Sequence, residues 1–216
     1  MKTILKIVLW LLSIFFAYMI YKAISDPIKF ERIKTERYTK VIDRLKDIRD
    51  AQEAYRAVTG RFANDFESLI KFVDTAEFTI TQKRDSSYME FNKVYQIDML
   101  KEIVIVDTLG FRSVKDSIFK KSDRYKNMMN VPFAPNNEKF EMKAAILDQN
   151  SYKAPVFEAK VDKAVVLYDQ PKELVAQEKE VVDVDEVNGP TIAVGSLSEV
   201  STSGNWPTLY DTERDN

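Results

Sequence analysis

The chain of 216 residues contains no cysteine and no histidine, and it contains only five glycines. Without cysteine and histidine, no Ser–His–Asp or Cys–His nucleophile can form. The usual zinc, haem and iron–sulfur ligands are missing, and no disulfide is possible. Five scattered glycines cannot supply a known phosphate-binding loop. We therefore do not expect an enzyme, and we expect no cofactor of these kinds.

An excess of charge of either sign is also missing. Lysine and arginine total 32, aspartate and glutamate total 34, and the formal net charge is −2. A nucleic-acid-binding protein would carry a clustered basic excess, so we expect no nucleic-acid partner. The shares of hydrophobic residues (45%) and charged residues (31%) are those of an ordinary globular protein.

The first feature that is present is an apolar N-terminus. Residues 7–21 carry no charge, and Lys6 and Lys22 bracket them. The apolar stretch covers about 18 residues, close to the roughly 20 that cross a hydrocarbon core. It predicts a single membrane anchor, with these residues in the lipid: Ile7, Leu9, Trp10, Leu11, Leu12, Phe15, Phe16 and Tyr18.

A cleaved signal peptide is the alternative to an anchor. Lys2 and Lys6 resemble a basic n-region, and Ala23-Ile24-Ser25 resembles a cleavage site. The length of the apolar run and its aromatic residues favour the uncleaved anchor. Basic residues flank the run on both sides, and the positive-inside rule taken literally leaves the domain in the cytoplasm. A short basic N-terminus is itself an export signal, so we expect a single-pass bacterial inner-membrane protein with a periplasmic domain.

A long amphipathic helix follows the anchor. Pro27 suits a first helical turn with Asp26 as its cap, and Gly60 suits the end of the helix. Apolar residues recur at steps of three and four, which indicates one buried face. That face could pack on its own domain or on partner subunits, and the more evenly charged residues 28–37 indicate an exposed stalk. The candidate partner interface is Ile28, Ile33, Tyr38 and Val41. A short second helix follows, with a capping box at Asn64 and Glu67.

The end of this helix carries a family resemblance. Residues 47–62 (DIRDAQEAYRAVTGRF) and 66–73 (FESLIKFV) resemble type IV pilins, and are most similar to the major pseudopilin of type II secretion. The resemblance covers about residues 1–75. It implies a membrane helix, an amphipathic continuation, partner subunits in an envelope assembly, and calcium in the C-terminal part of many members. The chain differs from prepilins because no glycine precedes residue 60 and no acidic residue lies within residues 7–21.

The second half of the chain has the two-residue period of β-strands. Alternation marks residues 77–81, 87–91, 140–144 and 156–161, and residues 103–106 are a β-branched run before a turn at 107–110. We expect an α+β fold, with the stalk helix packed on a small, mostly antiparallel sheet. The expected divisions are 1–25 (anchor or signal peptide), 26–75 (stalk and second helix), 76–195 (β-rich domain, including a helix at 172–182 and a strand at 191–195) and 196–216. The last segment is a polar tail, loop-like or disordered, unless Trp206, Pro207 and Tyr210 dock it.

One segment faintly resembles a calcium loop. Asp183, Asp185 and Asn188 alternate as oxygen ligands before Gly189, which suits a hard cation. The spacing departs from that of an EF-hand because the twelfth position is Val194. A solvated acidic turn is the simpler interpretation.

These observations predict a non-enzymatic, membrane-anchored structural or accessory subunit of a bacterial cell-envelope assembly, related to secretion or pili and associating with other subunits or with itself. The alternative is an exported ligand- or cargo-binding module. Its groove would be lined by Tyr88, Phe91, Phe133 and Phe157, aromatic residues that could equally belong to the core.

Overall fold

A computed structural model describes residues 2–93, 95–120, 122–149 and 152–211. The helices are α1 (Lys2–Thr59), α2 (Phe66–Thr75), α3 (Val114–Ile118), α4 (Lys163–Val166) and α5 (Lys172–Lys179). The strands are β1 (Glu77–Asn92), β2 (Ile97–Ser113), β3 (Glu141–Gln149), β4 (Tyr152–Asp162) and β5 (Thr191–Gly195). Short 3-10 turns cover Arg124–Asn127, Pro135–Asn137 and Thr208–Asp211. The expected α+β class is confirmed.

Helix α1 runs without interruption through 58 residues, a length of about 87 Å. The expected start at Pro27 with Asp26 as cap is wrong, because the apolar segment before it is helical and continuous with the amphipathic segment after it. Pro27 removes only one backbone hydrogen bond from the helix. The expected end is confirmed: Gly60 has a φ of 77°, and its N–H donates to the Arg56 carbonyl at 2.8 Å.

Helix α2 begins one residue later than the sequence pattern indicates. Asp65 is the N-cap, and its carboxylate accepts the Ser68 N–H at 2.8 Å and the Ser68 hydroxyl at 2.9 Å. The expected capping box at Asn64 and Glu67 is therefore wrong. The Asp65 carboxylate caps the helix together with Ser68, and this places Leu69 and Val73 in the core.

Strands β1 and β2 form one long antiparallel hairpin, with partners from Glu77↔Ser113 to Asn92↔Ile97. The two short strands expected at 77–81 and 87–91 are parts of β1. The expected turn at 107–110 is wrong, because those residues continue β2 opposite β1, with a register shift between Ile80 and Thr81. Long-range pairing with β1 overrides the local turn signal of Gly110.

Strands β3, β4 and β5 form a second antiparallel sheet in that order. Two small sheets are therefore present instead of the single one expected. The amphipathic half of α1 packs its buried face against this sheet: Tyr38, Val41, Ile42, Leu45 and Ile48 share a core with Phe157, Ala159, Ile192 and Val194. Tyr38 and Val41 have no exposed surface, so their assignment to a partner interface is wrong. The alternative, packing on the chain's own domain, holds for them.

The C-terminal segment returns over the edge of β5. The Gly195 N–H donates to the Ser203 carbonyl at 2.9 Å, and the Asn205 N–H donates to the Ala193 carbonyl at 3.1 Å. Trp206 is 8% exposed, and the buried Lys46 ammonium donates to the Tyr210 carbonyl. Residues 196–211 are thus a docked segment, not a disordered tail. Residues 212–216 lie outside the described residues.

Candidate functional site

The N-terminal part of α1 presents an apolar surface to solvent on all sides. Every large apolar side chain between residues 7 and 24 is at least 50% exposed, including all eight predicted anchor residues. Leaving a large apolar side chain in water costs about 1.5–3 kcal/mol relative to burying it. This N-terminal helix is long and apolar enough to span a membrane, although a signal sequence passes the same test.

The folded domain begins very close to this apolar segment. Phe30 is only 6% exposed, and about 9 Å of helix separates it from Ile24. The exposed stalk expected over residues 28–37 is therefore wrong for Phe30 and Lys34, which are buried. Of the two stalk candidates for partner contact, Ile28 is 65% exposed and Ile33 is half-buried. The freely exposed part of the stalk is reduced to a few residues around Ile28.

A buried carboxylate holds this part of α1 in the domain. Glu178 of α5 is 5% exposed, and its Oε1 lies 2.8 Å from Lys163 Nζ while its Oε2 lies 3.2 Å from Lys34 Nζ. The Tyr38 hydroxyl also donates to Oε1 at 3.2 Å. Lys163 has no exposed surface and completes its shell by donating to the carbonyls of Glu178 (2.6 Å) and Val187 (2.7 Å). Three separate parts of the chain thus meet at Glu178.

The outer side of this cluster is also acidic. Lys34 Nζ lies 2.8 Å from Glu31 and 3.0 Å from Glu186. Burial alone lowers the pKa of Lys34, but the carboxylates of Glu31, Glu186 and Glu178 more than offset this effect and raise it. Burial, assisted by Glu178, raises the pKa of Tyr38, so Tyr38 remains a neutral donor.

The polar atoms of this cluster are fully paired with one another and with the backbone. Among the described residues, no buried side-chain nitrogen or oxygen lacks a hydrogen-bond partner. Lys34, Lys163 and Tyr38 all donate to the same carboxylate. Because removing one member leaves the others charged and buried, the cluster fixes the position of α1 in the domain.

A second set of contacts, the Arg37–Asp169 clamp, holds α1 one turn beyond Lys34. Arg37 binds Asp169 with both terminal nitrogens, at 2.6 and 2.8 Å, and also donates to the Val166 carbonyl at 2.8 Å. Its guanidinium lies 5.9 Å from the Phe133 ring and 5.7 Å from the Tyr168 ring. The Arg37 guanidinium lowers the pKa of Asp169 to about 2.

The acidic segment forms a turn closed by its own side chains. Asp183 accepts the N–H of Asp185 at 3.0 Å, and Asn188 accepts the N–H of Asp183 at 2.8 Å. These oxygens cap the turn itself. In the described part of the chain, no group of three or more acidic residues is placed to hold a metal ion. The acidic-turn interpretation describes these contacts, and calcium binding by Asp183, Asp185 and Asn188 stays a prediction.

The four aromatic residues suggested for a ligand groove are dispersed. Phe157 is fully buried and packs 4.6 Å from the Phe62 ring. Phe133 lies beside Arg37, whereas Tyr88 and Phe91 lie on the hairpin. A groove lined by these four residues is therefore wrong. An open depression of about 610 Å³ lies between α2 and the segment around Tyr125, away from these four residues.

Sequence reasoning missed the charge cluster, although a signal for it was present. Lys34 lies four residues before Tyr38, on the buried face of α1, where a charge needs a partner. Glu178 follows the buried Val175 by three residues, which places it on the inner face of α5. These positions indicate buried charges, but not which lysine pairs with which glutamate.

No protein-family model, curated protein or solved structure matches this chain. The resemblance to pilins and pseudopilins therefore stays a prediction. The fold and the site define an α+β domain attached to a long, exposed apolar helix.

Replacing Glu178 with glutamine keeps the shape of the side chain but removes the shared counter-ion of Lys34 and Lys163. We expect Glu178→Gln to lower the free energy of unfolding by about 3–5 kcal/mol, because a buried charge is left unpaired. Glu173→Gln, on the exposed side of the same helix, should change it by less than about 0.5 kcal/mol. Urea unfolding of the full-length protein in detergent, followed by circular dichroism, measures both. Equal effects of the two variants would contradict this role of Glu178.

The Arg37–Asp169 clamp should give a pH-dependent contribution to stability. The folded pKa of Asp169, about 2, lies below its ordinary value of 3.8, so the clamp stabilises the fold fully above about pH 4. This contribution is lost as the pH falls from about 4 to about 2. The difference in melting temperature between the wild type and Asp169→Asn should therefore be constant from pH 7 to 5 and shrink below pH 4. A difference that stays constant down to pH 2 would contradict the pairing.

Proposed function

We propose that this chain is a non-enzymatic, membrane-anchored structural or accessory subunit of a bacterial cell-envelope assembly, with its domain on the periplasmic face of the inner membrane. The observation that carries the proposal is the division of α1. One half exposes apolar side chains on all sides, and the other half is the central helix of the domain core.

A single rigid helix suits an assembly subunit better than a flexible tether would. The Glu178 cluster holds α1 at Lys34, about 15 Å along the helix from Ile24, so the domain would stand close to the membrane. Its height and orientation would then be set by the helix. A subunit that packs beside others in a membrane needs such a fixed position, whereas a free ligand-binding domain does not.

The likeness to pilins gives the proposal its particular form. The segment that carries the likeness, residues 47–62, spans the end of α1, and Gly60 has the positive φ that its place in the pattern requires. The lack of histidine and cysteine, together with full pairing of the buried charges among the described residues, supports a role in binding over one in catalysis.

Partner contact should be detectable at the exposed base of the domain. A photo-reactive phenylalanine analogue at Ile28, 65% exposed, should give discrete cross-linked bands in cell membranes. The matched control is Tyr152, 66% exposed. It lies on β4, three residues before Pro155, and Pro155 borders a depression with Tyr55, which lies about 40 Å along α1 from Ile28.

Equal labelling at both positions, or none at Ile28, would contradict the assembly proposal. If Ile28 gives no bands and native mass spectrometry of the full-length protein shows a bound small molecule, the ligand-binding alternative becomes the better account.

A further inference from the structure

Strand β2 has one edge that pairs with no other strand of the described residues. Within the described residues, β1 and β2 form a two-stranded sheet, so the outer edge of β2 leaves its backbone donors and acceptors unpaired by another strand. The hairpin is about 50 Å long, and a two-stranded ribbon of this kind is only marginally stable in water. Along this edge strand the following residues are 38–62% exposed: Ile97, Met99, Leu100, Ile103, Val104 and Val106.

The other free edges in the described structure are protected in part, by charged residues or by another segment of the chain. Strand β1 carries Lys83, Arg84 and Asp85 at its centre, and β3 carries Glu141 and Lys143. Charged residues on an edge strand oppose pairing with another chain. The outer edge of β5 is covered by the C-terminal segment. Strand β3 keeps one uncharged run, residues 144–147, of which only Ile146 is β-branched, whereas all four residues 103–106 of β2 are β-branched. Residues 103–106 are therefore the stretch best suited to pairing with another strand.

We propose that two copies of this chain pair through the free edges of β2, antiparallel and centred on Val104, to form a four-stranded intermolecular sheet. A two-fold axis perpendicular to the sheet places Val104 opposite Val104 and Ile103 opposite Ile105 of the second copy. Each pair lies on one face because its two residues are an even number of positions apart. The paired segment would be the nine residues 100–108, which lie in the regular part of the hairpin, before the register shift. Such a contact closes on itself and consumes both apolar edges.

Charge complementarity supports this register. It places Lys101 opposite Asp107 of the second copy, and the symmetry repeats the pair. Within one hairpin, Lys101 Nζ lies 2.7 Å from Glu90, and Arg84 Nε lies 3.2 Å from Asp107. The four-stranded sheet would therefore carry rows that alternate in sign: Glu90, Lys101, then Asp107 and Arg84 of the second copy. A slip of two residues in pairing would lose the Lys101–Asp107 pair, because Lys101 would then lie opposite Ile105 or Leu109. On the other face, the proposed register places Glu102 opposite Val106.

The pairing rests on the proposed function in one respect, the membrane anchor. A nine-residue strand pair is smaller than a standard interface, which takes about 20–30 residues from each side. Copies anchored in one membrane meet at a raised effective concentration, which compensates for a small contact. We therefore expect dimers in membranes and weaker association in dilute detergent.

The absence of native cysteine allows a direct test in the full-length protein. Val104→Cys should form a disulfide-linked dimer when isolated membranes are oxidised with copper phenanthroline. Opposed residues in antiparallel strands have Cα atoms about 4.5–5.5 Å apart, within disulfide range. Val106→Cys should not cross-link, because its twin would lie about 13 Å away along the strand. Asp85→Cys, on β1, should not cross-link either.

A further variant tests the register. Glu102→Cys and Val106→Cys together should cross-link, although neither does so alone, because these residues are opposed. No dimer at Val104→Cys, or bands of equal strength at all positions, would overturn the proposal. Sedimentation of the same samples measures separately whether the chain is attached to the membrane. Chains in the membrane pellet without the Val104 dimer refute the pairing alone, whereas soluble chains that still form the dimer refute the anchor and leave the pairing standing.

Discussion

The carboxylate of Glu178 is the constraint on which the rest of the architecture depends. It accepts hydrogen bonds from Lys34 of α1 and Lys163 of α4, and Lys163 also donates to the Val187 carbonyl. The three charged side chains, Lys34, Lys163 and Glu178, are each at least 95% buried. Removing such charges from water is costly, so the arrangement is stable only when every member is present. An alternative packing of α1 that separated Lys34 from Glu178 would leave buried charges unpaired. The cluster thus selects one position for the helix.

That position explains why the domain lies so close to the apolar segment. Apolar packing holds α1 at Phe30 as well as through Tyr38, Ile42 and Leu45. Lys34 and Arg37 add charged contacts to the turns between Phe30 and Tyr38. Only a short part of α1 is therefore exposed between its apolar segment and the folded domain. In our account this turns a tethered domain into a fixed element that could be stacked beside others, with the β2 edge projecting from it.

Local patterns in the sequence predicted part of the helical half of the fold. The three-and-four spacing from Tyr38 predicted the buried face of α1, and Gly60 predicted its end. Features that depend on distant residues were not predictable in this way. The turn expected at residues 107–110 became strand because β1 pairs with it, and the tail after residue 196 docked because Lys46 and the β5 edge offered it hydrogen bonds. Of the candidate site, the anchor residues could be named, but the Lys34–Glu178–Lys163 cluster joins residues 144 and 15 positions apart.

The central claim is that the domain stands on the outer face of a membrane at the end of an uncleaved helix. A single cysteine at Val182, which is 87% exposed, tests this in a chain without native cysteine. Our account predicts that a membrane-impermeant maleimide labels Val182→Cys in intact spheroplasts, and that the labelled chain keeps an N-terminal tag and sediments with membranes. Labelling that appears only after lysis would put the domain in the cytoplasm, and a labelled chain without its tag would show a cleaved signal peptide. Either result would contradict the account.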